Sequence, residues 1–263
     1  MTLDSADIDV LALHAKVWEA ESEVMLYHIG VDVGWRCVDL GCGPEGLLGP
    51  LSRRTGRAGS VIAVNHNEPL VKAAKSFIDR EQLVNVSVHR SDPIHTELPA
   101  ESADFCHARF MVAETGLADP LLEEMLRLTK PGGYIALQEP DSSCWSCFPP
   151  SPEWKRLKSA ITQLYAESGG DLSAGTRTFG MLKRLGLADV NIRAAVLPLY
   201  NCHPYMRWPI YLAESLKPRL IASGIMKEDE FENTLYEYSR HLDHPETVVI
   251  SFVMTQVWGR KPG

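Results

Sequence analysis

Six residues, Gly41-Cys42-Gly43-Pro44-Glu45-Gly46, separate a short apolar run at 35–40 from a stretch with helical spacing at 46–54. A G-x-G-x-x-G turn in that place lets the backbone double back tightly and approach a ligand. The helix that follows offers free amides to an anion. The pattern then repeats. Residues 60–64 predict a second buried strand, and 67–80 carry Leu70, Val71, Ala74, Phe77 and Ile78 at helical spacing. Val86 and Val88 alternate within 85–89, as on a half-covered edge strand. Residues 103–108 predict a fourth strand and 119–129 an amphipathic helix, stopped by Lys130-Pro131-Gly132-Gly133. Residues 134–138 predict a fifth strand. Strands spaced by helices imply right-handed crossovers, and so a Rossmann-like, doubly wound, mainly parallel α/β sheet.

The second half changes character. Residues 141–152 read as a loop rich in Ser, Cys, Pro and aromatics. Helices are predicted over 153–169 and 174–186, and strands over 189–199 and 247–258. The stretch 204–241 is mostly helical, with a break near Ser223-Gly224. The last two strands extend the sheet to seven, most easily as an antiparallel pair at one edge. One domain over 1–263 is expected, with an N-terminal helical segment at 1–30 and helical cap insertions at 150–170 and 204–242.

A chain of 263 residues, 45% hydrophobic and 23% charged, buries a sizeable core without metal or disulfide staples. Disordered, collagen-like and disulfide-scaffold classes are excluded. With 26 Lys and Arg against 34 Asp and Glu, the net charge of −8 argues against a nucleic-acid binder. The stretch 248–258 is too short and too interrupted to span a bilayer. Residues 1–10 lack the basic and apolar regions of a signal peptide. A cytoplasmic protein with six reduced thiols is expected, not a membrane protein; a homo-oligomer stays open.

Val38-Asp39-Leu40-Gly41-Cys42-Gly43-Pro44 resembles motif I of the class I S-adenosylmethionine (SAM) methyltransferases. Dinucleotide-binding fingerprints usually have an apolar residue where Asp39 stands. Further matches follow in order: Val61 to Asn65, Arg90-Ser91-Asp92-Pro93, Ser102 to Phe110, and Leu126 to Gly133. The nearest likeness is to small-molecule methyltransferases of the ubiquinone/menaquinone type. The resemblance implies SAM as cofactor and places Asp39, Gly41, Cys42, Gly43, Asn65, His66, Asp92, Pro93 and Arg109 around it. Asn65 would hold the ribose and Asp92 the adenine amino group. The family usually has an acid where Asn65 stands. Asn65→Asp is therefore expected to tighten cofactor binding by roughly 1 kcal/mol, about fivefold. Glu45 stands where many relatives have glycine, to cap the helix or to meet the ligand's ammonium.

Methyl transfer needs alignment and exclusion of water, and a base only for a protonated nucleophile. His107 leaves the fourth strand and Glu139 the fifth, at the edge where open α/β sheets bind ligands. Each is a candidate catalytic group, with a buried or salt-bridged structural role as the alternative; for Arg109 the alternative to the cofactor is a pair with a nearby acid. Cys144-Trp145-Ser146-Cys147 reads as two loop thiols, and no metal site is expected. Trp145, His203, Tyr205 and Trp208 are candidate contacts for a small, largely apolar acceptor, with insertion core as the alternative. The expected function is methylation of a small organic molecule. The rivals are a cyclisation or elimination using SAM structurally, and a non-catalytic regulatory protein.

Overall fold

The computed structural model describes residues 5–263. Two helices lead in, α1 (Ser5–Val17) and α2 (Glu19–Ile29), and Gly30 ends the second at φ 80°. Then strand and helix alternate: β1 (Arg36–Leu40), α3 (Leu48–Thr55), β2 (Ser60–Asn65), α4 (Glu68–Arg80), β3 (Val86–Arg90), β4 (Ala103–Arg109), α5 (Met111–Thr115), α6 (Ala118–Leu128) and β5 (Thr129–Asp141). Local chemistry sets the boundaries. Asn67 Oδ1 accepts the Leu70 amide at the start of α4, and Pro69 occupies its first turn. In α6 the residues Leu121, Leu122, Met125 and Leu128 form one buried stripe.

The chain continues through β6 (Ser146–Phe148), α7 (Pro152–Glu167), α8 (Gly175–Arg184), β7 (Ala188–Ala195), β8 (Pro198–Tyr200), α9 (Trp208–Ala222), α10 (Glu228–Leu242), β9 (Val248–Ile250) and β10 (Val253–Arg260). The seven-stranded sheet has the order β3-β2-β1-β4-β5-β10-β7. β1 to β5 are parallel, and β10 runs antiparallel to both β5 and β7 at one margin. Helices α2, α3 and α4 pack their apolar residues on one face, and α6 and α8 on the other. A further core, rich in Trp and Tyr, lies in the cap formed by α7, α9 and α10.

Three features depart from the expected elements. The last strand is two: Ser251 Oγ accepts the Leu197 amide and donates to the Phe252 carbonyl, which turns the backbone between β9 and β10. β9 then pairs with β6 and β8 in a small antiparallel sheet that hydrophobic periodicity did not reveal. And residues 130–133, expected as a stop, already belong to β5, as does Thr129, expected to end the helix. Residues 1–4 of the expected N-terminal segment lie outside the described residues; α1 and α2 occupy most of the rest. Among the described residues no helix is long and apolar enough to cross a membrane.

Candidate active site

The turn after β1 is shaped by Asp39. This carboxylate is buried, accepts the Leu47 amide on Oδ2 at 3.2 Å, and meets His107 Nδ1 on Oδ1 at 2.7 Å. Gly46 must lack a side chain, since a Cβ would sit 2.7 Å from Asp39 Oδ2, and its φ is 51°. Gly41, at φ 70°, is faced by Met111, whose sulfur would be 2.0 Å from a Cβ. At Gly43 a Cβ would meet nothing within 4 Å. The turn is open there, and the amides of Gly43, Glu45 and Gly46 bond to none of the described residues. The Cys42 side chain is buried in the sheet core, so only its backbone can face a ligand.

Asn65 ends β2. Its Nδ2 donates to the Cys42 carbonyl at 2.8 Å, and its Oδ1 accepts the Asn67 amide at 2.8 Å. The side chain thus ties two loops together; one N–H and one lone pair remain. His66 beside it is exposed. At the exit of β3, Asp92 is exposed and steadies its own turn through Oδ1 and the Ile94 amide at 3.1 Å, above a buried Pro93. Glu45 does not cap the following helix; it pairs with Arg80 of α4 at 3.1 Å. These groups lie at the carboxyl ends of β1, β2 and β3, which are neighbours in the sheet.

His107 and Glu139 take the buried structural alternative rather than open catalytic positions. His107 is 1% exposed and spans Asp39 and the Gln138 side-chain oxygen at 3.1 Å, while Gln138 Nε2 donates to Ser22 Oγ at 3.1 Å. A chain of hydrogen bonds therefore runs from the glycine turn through β4 and β5 to α2. Glu139 is fully buried and caps α5: its two oxygens accept the amides of Val112 and Ala113, each at 2.9 Å. Burial pushes its carboxyl up to about 8, against these two amides, which favour the charge. It does not present a base to an open pocket, because the start of α5 consumes both oxygens.

Of the four candidate acceptor contacts, the structure gathers three. Trp145, Tyr205 and Trp208 are buried in the cap core, with Trp145 to Trp208 ring centroids at 5.3 Å and Tyr205 to Trp208 at 5.1 Å. His203 does not join them. Cys202 adopts φ 75°, and in the tight turn that follows His203 Nδ1 accepts the Tyr205 amide at the outer surface. Three residues were not foreseen: His14, Phe110 and Phe252 complete the aromatic cluster with Trp18. Val10, Leu13, His14 and Val17 share one face of α1, a spacing that could have marked His14 as inward-facing. Arg109 leaves β4 between the two regions: it feels the charge of Asp39 at the glycine turn, and its own charge is felt at His14 and Tyr205 in the cluster. Cys144 is exposed and Cys147 buried, both as free thiols. Among the described residues no group of three or more His, Cys, Asp or Glu is placed to hold a metal.

Residues 38–137 match the model of a methyltransferase domain family. The chain is 32% identical over 111 residues to a nocamycin O-methyltransferase of Saccharothrix syringae, covering 42% of this chain and 38% of that protein. It is 24% identical over 193 residues to a demethylmenaquinone methyltransferase of Lactobacillus johnsonii, covering 64% of this chain and 79% of that one. The chain thus spans little more than a third of the first relative's length. A SAM-dependent methyltransferase of Aquifex aeolicus shares the fold at a TM-score of 0.55 and 24% identity, over 74% of this chain and 91% of that one. With the strand order and the glycine turn in agreement, residues 38–137 belong to the methyltransferase domain family.

Proposed function

We propose that this protein transfers a methyl group from SAM to a small, largely apolar organic acceptor. The observation that carries the reading is the row of groups along three adjacent strand ends. Unbonded amides at Gly43, Glu45 and Gly46 stand at β1, the Asn65 amide at β2, and the exposed Asp92 carboxylate at β3. These groups fit the cofactor. The open face of Gly43 admits it, and the turn's amides suit its carboxylate. The remaining N–H and lone pair of Asn65 suit the ribose hydroxyls, and Asp92 accepts from the adenine amino group.

Bound there, SAM supplies a methyl group already activated on a sulfonium. The chain's own work is alignment and exclusion of water. His107 holds Asp39, and Asp39 holds the turn, so the chain of hydrogen bonds fixes the binding loop from behind. Glu139 fixes the start of α5, and with it Met111 over Gly41. Neither side chain is free to take a proton from an acceptor. The aromatic cap core is an apolar wall that would exclude water from the acceptor side. Titration calorimetry with SAM and S-adenosylhomocysteine tests the binding. Detection of S-adenosylhomocysteine on incubation with candidate acceptors tests the transfer. A chain that binds neither compound overturns the proposal.

A further inference from the structure

Several polar atoms inside the cap are sealed from solvent without a hydrogen-bond partner, among them His14 Nε2, Trp18 Nε1, Arg109 Nη1 and Tyr205 Oη. They converge. Trp18 Nε1 and Tyr205 Oη approach one another without meeting in hydrogen-bond geometry, and the Arg109 charge acts on both His14 and Tyr205. Arg109 forms no ion pair with any described residue; Asp39, whose charge favours the cation, bonds instead to His107 and the Leu47 amide. Native interiors seldom keep such groups unsatisfied without a role.

Around them stands a box of rings with His14 at its centre. The His14 ring lies 4.8 Å from Phe110, 5.8 Å from Trp208, 5.9 Å from Tyr205, 6.2 Å from Phe252 and 6.5 Å from Trp18. Burial and Arg109 hold this imidazole well below the usual histidine range, so it sits there as a flat neutral ring. His14 arrives on α1, whose described side chains reach the body through apolar and ring contacts, with no hydrogen bond or ion pair. An element held by such contacts alone has no side-chain hydrogen bond or ion pair to break when it withdraws.

We infer that His14 occupies the seat of a ligand ring: the box receives a flat aromatic molecule bearing an ionised oxygen. The ring stacks between Tyr205, Trp208 and Phe252, the oxygen meets Arg109, and Trp18 and Tyr205 donate to it. That this ligand is the methyl acceptor rests on the function proposed above; that the box binds it does not.

The test therefore omits SAM and uses 2-naphthoate and the isosteric 2-naphthamide, titrated by saturation-transfer NMR. Naphthoate should bind wild type at least tenfold more tightly than naphthamide. His14→Ala should strengthen both probes. Arg109→Met should bring the two within twofold while keeping the wild-type Tm, since it removes no partner; a residue with a merely structural role would lower Tm. Equal affinities in wild type and His14→Ala, a preference that survives in Arg109→Met, or no binding of either probe overturns the inference. Calorimetry with SAM on the same samples separates the two claims. Lost SAM binding with the naphthoate preference intact sinks the methyltransferase reading alone.

Discussion

Asn65→Asp is the sharpest test of the site, because its geometry reverses the effect that the family resemblance implies. A carboxylate at this position would be a better clamp for ribose hydroxyls, by roughly 1 kcal/mol. In the structure, however, Asn65 Nδ2 donates to the Cys42 carbonyl at 2.8 Å, and the side chain is 5% exposed. An ionised carboxyl cannot donate. The substitution removes a buried hydrogen bond worth about 1 kcal/mol and leaves two oxygens facing each other, at a further cost of about 1–3 kcal/mol. A net loss of about 2–4 kcal/mol corresponds to a Tm lower by roughly 4–16 °C for a chain of this size. The glycine turn should loosen, and SAM should bind no tighter than to wild type. The loss should also depend on pH. Burial and the facing carbonyl raise the introduced carboxyl above its unfolded value near 3.9, and its protonated form can donate to Cys42. Stability relative to wild type is then best at the lowest pH and falls as pH rises through the raised value. Calorimetric melting between pH 5 and 8, with SAM titration at pH 7.5, measures both effects. A variant with wild-type Tm that binds SAM about fivefold tighter would refute the reasoning.

Gly43→Val should abolish SAM binding in calorimetry with Tm nearly unchanged, because the added Cβ meets nothing in the protein; unchanged affinity would exclude the turn as the site. His107→Leu strands the buried Asp39 charge and should cost about 3–5 kcal/mol. That is a Tm lower by roughly 6–20 °C, and a smaller loss would mean that Asp39 finds water or another donor. Glu139, with a folded value near 8 above an unfolded value near 4.3, contributes stability that is full below the unfolded value and fades as pH rises through 8. Chemical denaturation of wild type and Glu139→Gln across pH 4–9 should show a shallower decline in the variant. Tyr205→Phe removes a hydroxyl without a partner and should leave Tm unchanged or raise it, whereas Trp208→Ala should cost about 3–5 kcal/mol of stability.

The alternation of strand and helix, the glycine turn and the position of Asp39 could be read from spacing, because each is a local signal with a local cause. So could the aromatic richness of the cap. What escaped the sequence are contacts made across the fold. Nothing near Glu139 announces that its oxygens will cap a five-residue helix at Met111–Thr115. Asn65 reads as a weak version of a familiar acid until its donor is found on Cys42. The break at Ser251 depends on the Leu197 amide, 54 residues away. His203 and Tyr205 look equivalent in sequence, and only the turn at Cys202 sends one outward and the other in.

The small sheet repeats the margin of the large one. β5, β10 and β7 lie side by side, and the segments that join them directly along the chain, β6, β9 and β8, lie side by side in the same order. Three strands thus cross from one sheet to the other together, at 141–146, 250–253 and 195–198. A plate carried on three such straps resists swinging, since rotation about any one of them would tear the register of the other two. The cap wall is therefore fixed to the sheet that carries the binding turn, and the distance between the two is set during folding. Traffic into the aromatic box has to pass a part without straps, and α1, whose described side chains reach the body through apolar and ring contacts alone, is such a part.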